Sequence, residues 1–165
     1  MAVKIRPARP ADLEAMLAVY AYARDFMART GNPDQWGDGY PRRELLEEDI
    51  ALGRSYVAEG EDGAVHGTFM FTPGPDPTYA VIEDGAWPDD APYGVIHRMA
   101  GDGQTGGLLA AAVAFCEQRC PRLRIDTHHD NTVMQHAVAK CGFVFCGVIH
   151  LENGDPRLAY HRPAR

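Results

Sequence analysis

Gly94-Val95-Ile96-His97-Arg98-Met99-Ala100-Gly101-Asp102-Gly103-Gln104-Thr105-Gly106-Gly107-Leu108-Leu109 is the stretch from which the fold is read. Val95 and Ile96 mark a strand from Gly94 to Met99, a glycine-dense turn follows, and Leu108 begins an alanine-rich helix that reaches Cys120 and stops at Pro121. Strand, glycine loop and helix in that order leave backbone N–H groups free at a helix N-terminus, a natural cradle for phosphate. Gly101-x-Gly103-x-x-Gly106 also satisfies G-x-G-x-x-G, and Asp126 stands 20 residues beyond Gly106, as in a dinucleotide-binding fingerprint. A P-loop is excluded, because Gly107 occupies the position where G-x-x-x-x-G-K-[ST] requires lysine.

Working outward, Val3–Arg6 alternates and meets Pro7, which predicts a first strand. Asp12 is placed to cap a helix in which Leu13, Met16, Leu17, Tyr20, Ala23 and Met27 recur at helical spacing, until Gly31-Asn32-Pro33 ends it. Pro41 opens a shorter helix to about Leu52, with Glu44, Glu47 and Glu48 outside and Leu45, Leu46 and Ile50 inside. Ser55–Glu59 and Val65–Thr72, joined by Gly60-Glu61-Asp62-Gly63, predict an antiparallel hairpin. The segment Pro73–Pro92 is rich in Gly, Pro and Asp yet carries Tyr79, Val81, Ile82 and Trp87, so it should fold back on the body of the protein.

Downstream, Leu123–Thr127 reads as a strand, Asn131–Lys140 as a helix closed by Cys141-Gly142, and Phe143–Leu151 with Arg157–His161 as a closing hairpin. The order is β-α-α-β-β-β-α-β-α-β-β. An antiparallel hairpin upstream of the glycine loop cannot supply half of a doubly wound parallel sheet. The expectation is therefore one α/β domain over residues 1–165, built on a single mixed sheet.

Composition narrows the function. Sixteen lysines and arginines against 23 aspartates and glutamates leave a formal net charge of −7, which disfavours a nucleic-acid partner. No stretch approaches the roughly 20 apolar residues of a membrane span, and Met1–Arg6 lacks the apolar core of a secretion signal. A cytoplasmic protein with no membrane partner is expected. Ser55 is the sole serine and no G-x-S-x-G surrounds it, which excludes a serine hydrolase. Cys116, Cys120, Cys141 and Cys146 match no zinc spacing and are expected to be free thiols, with no metal bound.

Read from Gln104 instead, Gln104-Thr105-Gly106-Gly107-Leu108-Leu109 resembles the Q/R-x-x-G-x-G/A loop of the GNAT acetyltransferase superfamily, matching at Gln104 and Gly107 and departing at Leu109. An Arg98-x-x-Gly101-x-Gly103 register matches all three positions but leaves Gly106 and Gly107 inside the helix, at about 1 kcal/mol each. A second family element is Asn131 followed by a helix ending in Gly142-Phe143, and the element order agrees over nearly the whole chain. More narrowly, Gln35-Trp36-Gly37, Ile82–Trp87 and Leu151–Tyr160 are similar to segments of bacterial GNAT proteins.

The resemblance implies a mostly antiparallel mixed sheet flanked by helices, with a central parallel strand pair that splays apart. It implies acetyl-CoA as co-substrate, held by the main chain of His97, Arg98, Met99 and Ala100, by Gln104, Thr105, Gly106, Gly107, Leu108 and Leu109, and by Asn131. The activity it implies is transfer of the acetyl group to a primary amine of a small molecule or peptide. A homodimer is compatible with it. Val138 stands where many members carry a tyrosine that protonates the leaving thiolate.

An amine with a pKa near 10.4 is mostly protonated at neutral pH, so a base should help. His97 is the first candidate and Glu83, Asp126 and His128 are weaker ones. Trp36, Tyr40 and Trp87, in irregular segments, are expected to wall the acceptor site, with Glu83 or Asp84 attracting a cationic amine. Two rival readings remain: an NAD(P)-binding oxidoreductase on the G-x-G-x-x-G pattern, and a non-catalytic acyl-CoA sensor, favoured by Leu109 and Val138.

Overall fold

The computed structural model describes residues 2–165. Seven strands form one sheet in the order β1-β2-β3-β4-β5-β7-β6: β1 Val3–Pro7, β2 Ser55–Gly60, β3 Val65–Pro73, β4 Gly94–Gly101, β5 Leu123–Thr127, β6 Val144–His150 and β7 Pro156–Arg162. Four helices complete it: α1 Leu13–Arg29, α2 Arg43–Ala51, α3 Leu108–Glu117 and α4 Thr132–Lys140. Every neighbouring pair is antiparallel except β4 and β5. This sheet overturns the dinucleotide-binding reading of the glycine loop, which requires a doubly wound parallel sheet.

The parallel pair is in register only at Gly94↔Leu123 and Val95↔Arg124, after which the strands part. A bulge in β4 accompanies the divergence. Thr68 faces Ala100 while Met70 faces His97, so Arg98 and Met99 together oppose the single residue Phe69. Arg98 adopts φ +54°, a left-handed conformation that is uncommon for a residue other than glycine and suits an extra residue in a ladder. The added local twist carries β4 away from β5 and opens the centre of the sheet.

Helical periodicity explains which faces are covered. Met16, Val19, Tyr20 and Ala23 of α1 pack with Leu46 of α2 against Val57 and Ala100 on one side of the sheet. Leu109, Ala112, Val113 and Cys116 of α3 pack with Val138 of α4 against Phe69, Ile96, Leu123 and Ile125 on the other. Fully enclosed side chains such as Met16 and Leu46 each contribute about 1.5–3 kcal/mol.

Local departures from the sequence reading have simple causes. Asp12 does not cap α1 but accepts from the two terminal guanidinium nitrogens of Arg6, at 2.8 and 2.9 Å, and from the Arg9 N–H at 2.8 Å. The second helix starts at Arg43, not Pro41, because Arg42 is still extended. α3 ends at Glu117, short of Cys120, in a turn where the Arg119 and Cys120 N–H groups both reach the Cys116 carbonyl. Tyr79, Ile82 and Trp87 fold back into a small cluster with Val95, Ile149 and Ala159, whereas Val81 is 70% exposed. All four cysteines are free, and Cys116 alone is fully buried.

Candidate functional site

Where β4 and β5 part, a cleft of about 850 Å³ opens, bordered by the 30–42 loop, the β3–β4 connection and the β6–β7 turn. His97 projects into it from β4, and two carboxylates flank its ring. Nε2 lies 2.8 Å from Asp76 Oδ2, and Nδ1 lies 3.8 Å from Asp126 Oδ2. Asp76 is fixed by the turn it starts: its Oδ1 accepts the Thr78 N–H at 2.9 Å and the Thr78 hydroxyl at 2.7 Å, while its own N–H donates to the Tyr93 hydroxyl. Asp126 accepts the buried Tyr79 hydroxyl at 2.6 Å.

The electrostatics assign the protons. Burial opposes ionisation of Asp76, but hydrogen bonds from His97 and from the Thr78 hydroxyl and N–H outweigh it and bring the carboxyl down to about 2. An ionised carboxylate only accepts, so His97 Nε2 must carry the proton toward Asp76. In the neutral ring Nδ1 then keeps its lone pair. Burial pushes Tyr79 well above the ordinary phenol value, so its hydroxyl stays a donor to Asp126.

The bulge residue is anchored separately. The Arg98 guanidinium meets Asp49 at 2.7 and 3.1 Å and the Tyr40 hydroxyl at 3.2 Å, and its carbonyl accepts the Tyr20 hydroxyl at 2.7 Å. Asp49, 2% exposed at its side chain, is shared with Arg54 at 2.9 Å. Arg98 and Met99 line the cleft, while Ala100 is buried against α1.

Trp36 and Tyr40 wall the cleft with ring centroids 6.1 Å apart, Trp36 meeting Tyr20 edge-on at 5.6 Å. Trp87 lies elsewhere: its Nε1–H donates to the Tyr79 carbonyl and its ring covers the Arg124 guanidinium at 4.1 Å. Glu83 is exposed and joined to Val148 by a two-bond backbone bridge, outside the cleft lining. Asn131 lines the cleft, but its side chain is engaged, Oδ1 capping α4 at the Met134 N–H and Nδ2 donating to Gln35 Oε1 at 3.0 Å. His128 Nδ1 accepts the Asp130 N–H. Three ligand atoms of His128, His129 and Asp130 come within 4.8 Å of one another, yet that bond occupies one His128 nitrogen.

The glycine loop lies outside the lining of this cleft, at the start of α3. The helix begins at Leu108, so Gly106 and Gly107 precede it. Gly107 takes φ +70°, and a Cβ on either glycine would meet nothing within 4 Å. The first helical bond runs from the Ala111 N–H to the Gly107 carbonyl, and no side chain caps the preceding amides among the described residues. Gln104 donates its N–H to Asp102 at 3.0 Å, and Leu109 is packed into the core, as is Val138. Open amides, uncrowded glycines and a β4 edge without a strand partner beyond Val95 suit a phosphate-bearing thioester carrier.

The sequence reading gave no site role to Asp49, Asp76, Gln35 or Arg157, all of which shape the site. Gln35 and Arg157 lay only within segments similar to GNAT proteins, and Asp76 carried a signal of its own, an Asp-Pro-Thr context that is that of a side-chain-capped turn.

No protein-family model and no curated protein matches the chain. Among solved structures, a GNAT-family acetyltransferase from Streptococcus agalactiae 2603 is 32% identical with a TM-score of 0.89, over 99% of this chain and 96% of that one. A GNAT-family acetyltransferase from Listeria monocytogenes 4b F2365 shares the fold at 22% identity and TM-score 0.65, over 97% of this chain and 94% of that one. So does ribosomal-protein-alanine N-acetyltransferase from Brucella melitensis, at 22% identity and TM-score 0.63, over 97% and 99%. With a relative at 32% identity across almost its full length, and with the splayed β4–β5 pair at its centre, the chain belongs to the GNAT family of acetyltransferases.

Proposed function

We propose that the protein moves an acetyl group from acetyl-CoA to a primary amine of a small molecule or peptide, with His97 as general base. The observation that supports this reading most is the Asp76–His97 pair facing the cleft with Nδ1 free of a close partner. Acetyl-CoA supplies the acyl group as an activated thioester. The backbone of His97, Arg98 and Met99 would hold the carrier along the open edge of β4, and the amides from Gly106 to Ala110 would take its phosphates. His97 Nδ1 takes one proton from the acceptor ammonium, directly or through a water; the neutral amine attacks the thioester carbonyl, its second proton is lost to solvent as the CoA thiolate departs, and the resulting imidazolium lies between Asp76 and Asp126. Trp36 and Tyr40 exclude water from one side. Because Val138 offers no phenol, the thiolate leaves unaided, as a thiol with a pKa near 8.5 can. Glu83 and Trp87 have no part in this scheme.

A millimolar excess of acetyl-CoA should raise the thermal midpoint, and thiol release with a panel of amines should follow. Gly107→Glu places a carboxylate and a side chain at a left-handed position among the phosphate-binding amides and should weaken acetyl-CoA at least about 100-fold. Undiminished binding by that variant would move the carrier off this loop. Val138 keeps one other reading in view, a sensor that binds acetyl-CoA but releases no free CoA with any amine.

A further inference from the structure

We infer that Arg157 forms an anion-binding subsite at the floor of the acceptor cleft, and that the acceptor is a small zwitterion: a free amino acid or an analogue carrying one oxyanion beside its amine. This rests on the acetyl-transfer reading above.

Three arginines are buried among the described residues, and two have evident partners. Arg162 donates to Glu117 and to the Cys141 carbonyl, both at 2.8 Å. Arg124 is enclosed between the Trp87 and Tyr93 rings at 4.1 and 4.0 Å. Arg157 is 6% exposed yet makes only two bonds, to the Pro156 carbonyl at 2.9 Å and the Gln35 carbonyl at 3.4 Å. No carboxylate lies within salt-bridge distance of it among the described residues, although a guanidinium offers five donors and a buried charge without a counter-ion is costly.

Arg157 lines the cleft. Asp126 pairs with Ala159, so by strand alternation Arg157 shares a sheet face with Asp126 and hence with the His97 cluster. The exposed acids Asp34, Glu152 and Asp155 border the same cleft and favour entry of a cation. A molecule with an ammonium group near His97 and an oxyanion at Arg157 satisfies both ends. A polyamine would set a second cation against Arg157.

The test compares L-phenylalanine and L-methionine with their carboxamides, with phenethylamine and 3-(methylthio)propylamine, and with spermidine, by thiol release from acetyl-CoA. The amino acids should exceed their matched amines in kcat/KM by at least about tenfold, mostly through KM. Arg157→Gln should lower kcat/KM for the amino acids about 10- to 100-fold more than for the amines, and Arg157→Lys should recover part of the difference. A bracing role at the Gln35 and Pro156 carbonyls would instead depress all acceptors alike. Equal or better turnover of the matched amines or spermidine by the wild-type protein overturns the inference and leaves acetyl transfer standing, whether or not the variants fold. If no acceptor releases CoA, the acetyl-transfer reading falls and calorimetric titration decides the subsite. Binding of the amino acids but not of the amines, lost in Arg157→Gln, supports it; equal or absent binding overturns it.

Discussion

Two histidines in this protein are each held between two aspartates, at different distances. His66, on β3 and 3% exposed, has Nδ1 2.7 Å from Asp102 and Nε2 2.8 Å from Asp62, so both ring nitrogens face carboxylates at full hydrogen-bond distance. Such a ring is held as an imidazolium and has no lone pair to offer. It ties the β2–β3 hairpin to Asp102 of the glycine loop, whose other oxygen accepts the Gln104 N–H. His97 has one carboxylate at 2.8 Å and the second at 3.8 Å, and the loosely held nitrogen borders the cleft. What separates a structural clip from a candidate base is not the number of acids nearby but whether one nitrogen stays open toward a place where substrate fits.

Breaking the His97 side of this contrast should have the largest effect. His97→Gln should lower kcat about 10²- to 10⁴-fold and remove the acidic limb of the pH–rate profile, with the acetyl-CoA-induced rise in melting temperature retained. An unchanged rate and profile would retire His97 as the base. Asp76→Asn removes the anionic acceptor that fixes the Nε2–H tautomer. It should lower kcat more than about tenfold without weakening acetyl-CoA, by analogy with the orienting aspartate of catalytic triads.

The smallest effect belongs to His66. Its hydrogen bonds to Asp102 and then Asp62 raise its pKa above the ordinary 6.5 against the opposing effect of burial. A raised folded value means that the clip contributes fully below about pH 6.5 and fades as the pH rises through that folded value. His66→Gln should therefore cost on the order of 1 kcal/mol in denaturant unfolding at pH 6, with the gap to wild type narrowing toward pH 9. Turnover at saturating acetyl-CoA should persist. A gap that widens with pH would mean that His66 is neutral in the folded protein.

Much of the fold was readable in advance because it is written in contiguous residues. The apolar spacing of Met16, Tyr20 and Ala23 found α1, Gly142 bounded α4, and all eleven expected elements occur in the expected order. Trp36, Tyr40, His97, Asp126 and Asn131 do line one cleft. Glu83 and Trp87 do not, because an aromatic residue in a Gly- and Pro-rich segment looks the same whether it walls a cleft or covers a core. Asp49, in the last turn of an amphipathic helix, gave no sign that it would anchor Arg98 from the inside.

The sequence by itself determined the order of strands and helices, the antiparallel hairpins and the start of α3 after Gly107. Periodicity and turn chemistry act over a few residues and need no distant partner. Only the tertiary structure decided at which residue, Val95, the expected parting of β4 and β5 begins, that Asp76 rather than Glu83 attends His97, and that Arg157 is buried without a counter-ion. These depend on residues far apart in the chain meeting across a sheet, and on how burial and neighbouring charges set the protons once they meet.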